Sequence, residues 1–275
     1  MTAPFGSRLR AAVDAAGPVC VGIDPHPYLL ESWGLPDDAV GLREFGVRVV
    51  EAAAGRAGVV KPQVAFFERH GSAGYAALEH VLDRARTAGL LVIADAKRGD
   101  IGTTGEAYGQ AWLTPGSPLE SDALTVNPYL GLGSLDPMRR LAAQHGKGLF
   151  VLAATSNPEA FDTQTSVRAA DGETVAAAIV AGLATDAELG SEGVVIGATV
   201  RLADYGIDTD DLARLPVLAP GFGAQGARIR DLPDLFGSAA RNVLVASSRG
   251  LLDDGPDGVA PAIDAAREEV LSCLA

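Results

Sequence analysis

The sequence predicts an α/β fold, a single (β/α)8 barrel, and three observations carry that expectation. Eight short apolar segments recur along the chain, helix-like stretches separate them, and polar residues gather at the carboxyl ends of the apolar segments. Alternating strand and helix implies parallel pairing, and eight such units are the number that closes a barrel. At 275 residues and 48% hydrophobic content the chain can bury a large core. We read residues 1–275 as one catalytic domain, without linker, low-complexity tract or sequence repeat. On pattern alone, a doubly wound open sheet competes with the barrel.

The elements follow in order. Met1 to Gly17 reads as a short amphipathic helix with Arg8 and Arg10, and it lacks the continuous apolar stretch of a signal peptide. The strands are expected at Val19 to Asp24, Gly58 to Gln63, Leu90 to Lys97, Ala123 to Tyr129, Gly148 to Ser156, Gly193 to Thr199, Pro216 to Phe222 and Val243 to Arg249. Ser72 is placed to cap a helix in which Tyr75, Leu78, Leu82 and Ala85 repeat at helical spacing. Thr174 to Leu189 and Pro261 to Leu274 read as Ala-rich helices. Asp24, Lys61, Asp95, Lys97, Asn127, Ser156, Gln225 and Arg249 then fall at or just past strand carboxyl ends, the face where barrel enzymes keep their chemistry.

Composition excludes several partners. A formal charge of -13 and a pI near 4.7 argue against nucleic acid or an anionic membrane, since each needs a basic face. No apolar run approaches the ~18 residues of a membrane span. An anionic ligand would have to be attracted by a few placed cations, which singles out Lys61, Lys97 and Arg249. Only Cys20 and Cys273 are present, so neither a disulfide framework nor a cysteine metal site is expected, and a reducing cytoplasm fits.

The chemistry centres on Asp95-Ala96-Lys97-Arg98-Gly99-Asp100, delivered by the apolar run Leu90 to Ala94. Strand side chains alternate faces, so Asp95 and Lys97 are expected to point the same way, with Gly99 turning the chain before Asp100. Opposite charges held close keep each other ionised. A substrate that loses its own carboxylate here exchanges repulsion from Asp95 for attraction to Lys97. Standing alone, the hexapeptide reads first as a strand-end salt bridge, and its chemistry rests on the residues around it.

A second cluster follows the last two strands. Gly221-Phe222-Gly223-Ala224-Gln225-Gly226 and Ser247-Ser248-Arg249-Gly250 occupy the positions where such barrels hold a phosphate on backbone amides. Arg249 supplies a permanently charged planar fork for phosphate oxygens, and Gln225 an amide donor.

Taken together, these segments resemble the orotidine 5'-phosphate decarboxylase family in its longer bacterial form, over nearly the whole chain. The marks are Val21-Gly22-Ile23-Asp24-Pro25, Val60-Lys61-Pro62, Asp95 to Thr104, Val126-Asn127-Pro128-Tyr129, Thr155-Ser156-Asn157-Pro158 and Pro220 to Gln225. The resemblance implies a homodimeric barrel, needing no cofactor and no metal, that converts orotidine monophosphate to uridine monophosphate in pyrimidine synthesis. It implies Lys97 as the acid protonating pyrimidine C6 and Asp95 as the carboxylate facing the departing group. Asp100, with Ile101 and Thr104, would cross a dimer interface into the partner's site. Asp24 and Lys61 would meet ribose hydroxyls and the charge network, Ser156 the pyrimidine, and Gln225 with Arg249 the phosphate. Ser248 departs from the glycine usual before that arginine in shorter members.

Other readings make distinct expectations. Mg-dependent sugar-phosphate decarboxylases and lyases of a related barrel also carry D-x-K-x-x-D, with carboxylates binding the metal, although Arg98-Gly99 and Ile101 to Thr104 favour the orotidine branch. A Schiff-base aldolase would need Lys97 neutral, which flanking acids oppose. A pyrimidine-phosphate sensor would bind without releasing carbon dioxide. His26 reads as a loop histidine between Pro25 and Pro27, and His70, His80 and His145 lack metal-ligand spacing. Asn127 is either site lining or a turn residue before Pro128. Trp33 and Trp112 read as packing; Glu192, Asp208, Asp210 and Asp211 read as solvated surface.

Overall fold

The eight apolar segments become eight parallel strands: β1 (Val19–Ile23), β2 (Val59–Pro62), β3 (Leu91–Arg98), β4 (Ala123–Val126), β5 (Gly148–Ala154), β6 (Glu192–Ile196), β7 (Val217–Pro220) and β8 (Val243–Ser247). This computed structural model describes residues 2–223 and 226–275. Each strand pairs with the next and β8 returns to β1, with Cys20 opposite both Val59 and Ala246, so the barrel is closed and the open-sheet alternative falls.

Strand alternation sorts the side chains into two cores. Cys20, Val59, Ile93, Ala123, Phe150, Val195, Leu218 and Leu244 form one apolar cluster with Ala246. Val19, Val21, Val60, Val92, Leu124, Val151, Val194 and Val217 join the second, larger cluster with the surrounding helices. The helix Phe5–Ala16 belongs to the first cluster through Phe5 and Leu9. Phe5 meets Phe150 edge to face, with centroids 6.0 Å apart. Gly148 makes room for that ring: a Cβ there would lie 2.3 Å from it.

Several boundaries differ from expectation. Asp24, Gln63, Asn127 to Tyr129 and Ser156 lie in loops beyond the strands. Pro25 and Pro128, which cannot donate to a ladder, stand at two of these ends. The helix Gly71–Thr87 starts from His70, so Ser72 sits inside its first turn and does not cap it. Gly71, at φ 60°, makes the sharp turn out of the preceding helix Val64–Glu68. Thr174 does cap, accepting from the Ala177 amide, but its helix is only Val175–Ala181. It ends at Gly182, where a Cβ would lie 2.4 Å from Leu132. The last helix, Val259–Leu274, begins before Pro261, a residue tolerated in a first turn.

Trp33 and Trp112 are buried packing residues, as read. Glu192 is not free surface: both its oxygens take the Arg139 guanidinium at 2.8 Å. Asp208 and Asp211 form a capping box around the single turn Thr209–Leu212.

Candidate active site

The carboxyl end of β2, β3 and β4 assembles one buried carboxylate with three donors. Asp95 is 9% exposed. Its Oδ2 accepts from Lys61 Nζ at 3.1 Å, and its Oδ1 from Lys97 Nζ at 2.6 Å and from the Thr125 hydroxyl at 2.9 Å. Burial alone pushes the Asp95 carboxyl upward, but Lys61 and Lys97 outweigh it and bring its pKa down to about 2. Burial likewise pulls the Lys61 ammonium downward, yet Asp95 and Asp24 reverse this and hold it above its ordinary value. Asp95 is therefore an anion and Lys61 a cation at neutral pH.

Lys97 reaches Asp95 by a different route from the simple alternation expected. It is the sole non-glycine residue with positive φ among those described, at 47°, and the β3–β4 register shifts between Ala94 and Arg98. A left-handed lysine costs roughly 1 kcal/mol or more and persists only where neighbours impose it. Thr125 on β4 is such a neighbour. Its hydroxyl accepts the Lys97 backbone N–H at 2.9 Å while donating to Asp95, so one side chain sets both the backbone and its counter-ion. The Lys97 side chain remains 45% exposed, facing open space while anchored at its tip. Gly99 contributes by close approach, since a Cβ there would lie 2.3 Å from the Asn127 carbonyl.

Two adjoining cavities open over this cluster. The larger, about 1210 Å³, is lined by Asp24, Lys61, Asp95, Lys97, Thr125, Asn127 and Ser156, among others. The smaller, about 330 Å³, is lined by Gly22, His26, Phe66, Gly221, Ser248 and Arg249, among others. Asp24, Lys61, Gln63 and Pro220 line both, so the two form one cleft running from the charged cluster to the ends of β7 and β8. Two buried oxygens in this cleft, Asp24 Oδ1 and Ser248 Oγ, have no hydrogen-bond partner among the described residues. Such atoms are costly unless a ligand or water meets them. Gly22 lets β1 and β8 close around the cleft, as a Cβ there would lie 2.6 Å from that of Ser248.

The predicted site residues divide into three groups. Asp24, Lys61, Asp95, Lys97, Asn127, Ser156, Ser248 and Arg249 all line the cleft. Asn127 is both lining and turn residue, its side chain accepting from the Tyr129 amide. Asp100, Ile101 and Thr104 do not line the cleft of their own chain: Asp100 accepts from the Ile101 amide, and Ile101 is 62% exposed. Gln225 lies outside the described residues. Among the lining residues that sequence reasoning passed over are Thr125, Gln63 and His26. Among the described residues, no three His, Cys, Asp or Glu side chains are grouped to hold a metal ion.

Comparison with known proteins gives a consistent result. Residues 17–262 match the model of the orotidine 5'-phosphate decarboxylase / HUMPS family. A protein named orotidine 5'-phosphate decarboxylase from Streptomyces coelicolor is 55% identical, over 92% of this chain and 91% of its own. One of the same name from Salinispora tropica is 53% identical, over 93% and 92%. A crystal structure from Streptomyces avermitilis, 52% identical, superposes with a TM-score of 0.94 over 99% of this chain and 96% of that one. The Leishmania donovani OMP decarboxylase, 30% identical, does so at 0.77 over 98% of each.

Proposed function

This chain belongs to the orotidine 5'-phosphate decarboxylase family, and from that premise we propose how its own residues carry the reaction. The enzyme is a carboxy-lyase that converts orotidine 5'-monophosphate to uridine 5'-monophosphate in pyrimidine biosynthesis. The Mg-dependent sugar-phosphate alternative has no support from these relatives, which carry the orotidine enzyme's name.

The observation that carries the assignment of roles is Asp95 held ionised between Lys61, Lys97 and Thr125, inside a cleft. A substrate carboxylate brought beside Asp95 feels repulsion on the order of 4 kcal/mol for charges ~4 Å apart at an effective dielectric near 20. Losing carbon dioxide removes that repulsion. The C6–carboxyl bond breaks, its electron pair stays in an in-plane orbital on C6 that the ring cannot delocalise, and the Lys97 ammonium stabilises it. Transfer of a proton from Lys97 Nζ to C6 completes the product and leaves an amine that regains its proton from solvent.

At the other end of the cleft, the phosphate sits against Arg249 and the β7 and β8 loops, with the Ser248 hydroxyl meeting an oxygen. Ribose hydroxyls supply the partner that Asp24 Oδ1 lacks. Asn127 and Ser156 line the pyrimidine end, and Gln225 joins the phosphate contacts. Remote phosphate binding then serves the chemical step as well as affinity.

We further propose that the chain works as one catalytic domain in a cytoplasmic homodimer, without a cofactor, with Asp100, Ile101 and Thr104 completing the partner's site. Ile101 and Thr104 are exposed and, like half-buried Asp100, do not line their own cleft, which supports this. Among the described residues, no helix is long and apolar enough to cross a membrane. The decisive assay follows loss of orotidine 5'-monophosphate absorbance with and without chelator; equal rates are expected, and chelator-sensitive or absent turnover would overturn the reading. Mixed Lys97→Ala and Asp100→Ala subunits should regain activity through heterodimers, and continued inactivity after verified subunit exchange would exclude a shared site.

A further inference from the structure

With a net charge of -13, the protein repels a phosphate dianion at long range, so capture depends on the cations of the cleft itself. Three side chains able to carry positive charge line the smaller cavity: Lys61, Arg249 and His26. Lys61 is paired to Asp95. Arg249 makes no ion pair among the described residues, which leaves one permanent charge for an anion of nearly two.

His26 is built as though to add a donor. Its ring meets Phe66 edge-on, with centroids 4.3 Å apart and planes at 62°, and lies against Tyr28 at 5.6 Å. Those contacts fix the ring, yet neither imidazole nitrogen has a hydrogen-bond partner among the described residues. Tyr28 does not compete for it, since its hydroxyl donates to Asp253 at 3.0 Å. Pro25 and Pro27 stiffen the chain on both sides, and the His26 backbone N–H is held by the Asp24 carbonyl at 2.7 Å. The result is a half-buried, oriented imidazole with its polar atoms unused, just past the end of β1 and in the same cavity as Ser248 and Arg249 at the end of the neighbouring β8.

We propose that His26 contacts the phosphate monoester of the substrate, donating a ring N–H to an oxygen that Arg249 and Ser248 leave free. The proposal deepens, and rests on, the reading of this cavity as the phosphate end. His26 thereby sets the preference for nucleotide over nucleoside, while the charged cluster at Asp95 remains as described.

The test compares orotidine 5'-monophosphate with orotidine, its phosphate-free counterpart, in the full-length enzyme. For His26→Ala, the nucleotide-to-nucleoside ratio of kcat/KM should fall about tenfold, mainly through KM, and inorganic phosphate should inhibit about tenfold more weakly. His26→Gln, which keeps an N–H donor, should recover most of that ratio. Equal loss on both substrates would mean the ring only packs against Phe66, and no loss on either would mean it is idle; both overturn the proposal. Arg249→Ala is the independent arm. A phosphate-selective loss there but not in His26→Ala overturns the role of His26 alone, whereas its absence from both variants overturns the phosphate-end reading as well.

Discussion

The two ends of the barrel each bury a lysine among carboxylates, and they are wired differently. At the amino end, Lys147 Nζ lies 2.7 Å from Glu120 and 4.0 Å from Asp122. There Asp122 also accepts from the Val92 amide and from Arg8, Glu120 from the Gly116 amide, and Arg8 donates to the Gly146 carbonyl. The helix Phe5–Ala16 that carries Arg8 is packed into the same apolar cluster as the strands. At the carboxyl end, by contrast, Asp24 Oδ1 and Ser248 Oγ lack partners among the described residues, Lys97 has a left-handed backbone, and its side chain faces a cavity. A buried ion cluster therefore does not mark a site. What marks one is the coincidence of unmet polar atoms, local strain and open volume.

The largest expected effect would break the comparison outright if absent. Lys97→Ala should lower kcat by at least about 10⁴-fold, combining the loss of a proton donor and of a placed charge, while its melting temperature stays near that of the parent. Near-normal turnover would remove Lys97 from the chemistry. Lys147→Ala tests the opposite end. Leaving Glu120 without its lysine, while Asp122 keeps Arg8, should cost about 3 kcal/mol, lowering the melting temperature by roughly 10 °C, with kcat within about twofold wherever the protein is folded. An activity defect without a stability defect would show that the two ends are not separable.

Thr125→Val sharpens the contrast inside the site. Loss of the hydroxyl frees both the Lys97 amide and one Asp95 contact, and kcat should fall about 10- to 100-fold with KM nearly unchanged. A KM effect alone would make Thr125 a lining residue only. The smallest effect appears in acid. Because the folded Asp95 titrates at about 2, below its ordinary value of 3.8, its contribution to stability is complete above roughly pH 4 and drains away as pH falls through the folded value. The urea midpoint of the parent should accordingly drop faster between pH 4 and 2 than that of Asp95→Asn. Parallel curves would mean that the pairing adds nothing to stability.

The sequence made the barrel legible because each strand is a compact apolar run and each spacing holds a helix. It also located eight of the cleft residues, since strand carboxyl ends can be read from where apolar runs stop. Thr125 stayed hidden because a threonine within Ala123–Val126 looks like any β-branched strand residue; only the β3–β4 register shows that it meets Lys97. Asp95 and Lys97 were paired correctly for an incomplete reason, because alternation cannot anticipate a register shift. Likewise the helix expected from Thr174 to Leu189 starts where it was placed, yet it ends at Gly182, packed against Leu132, fifty residues earlier in the chain. His26 looked inert because its neighbours in sequence are prolines. Its neighbours in space are what give it a cavity.

The left-handed backbone at Lys97 has an evolutionary corollary. Glycine and asparagine both accept that geometry more readily than lysine does. A library at position 97 screened only for heat tolerance should consequently enrich those two residues, whereas one screened for growth without supplied uracil should retain lysine, so the two selections would pull this codon in opposite directions.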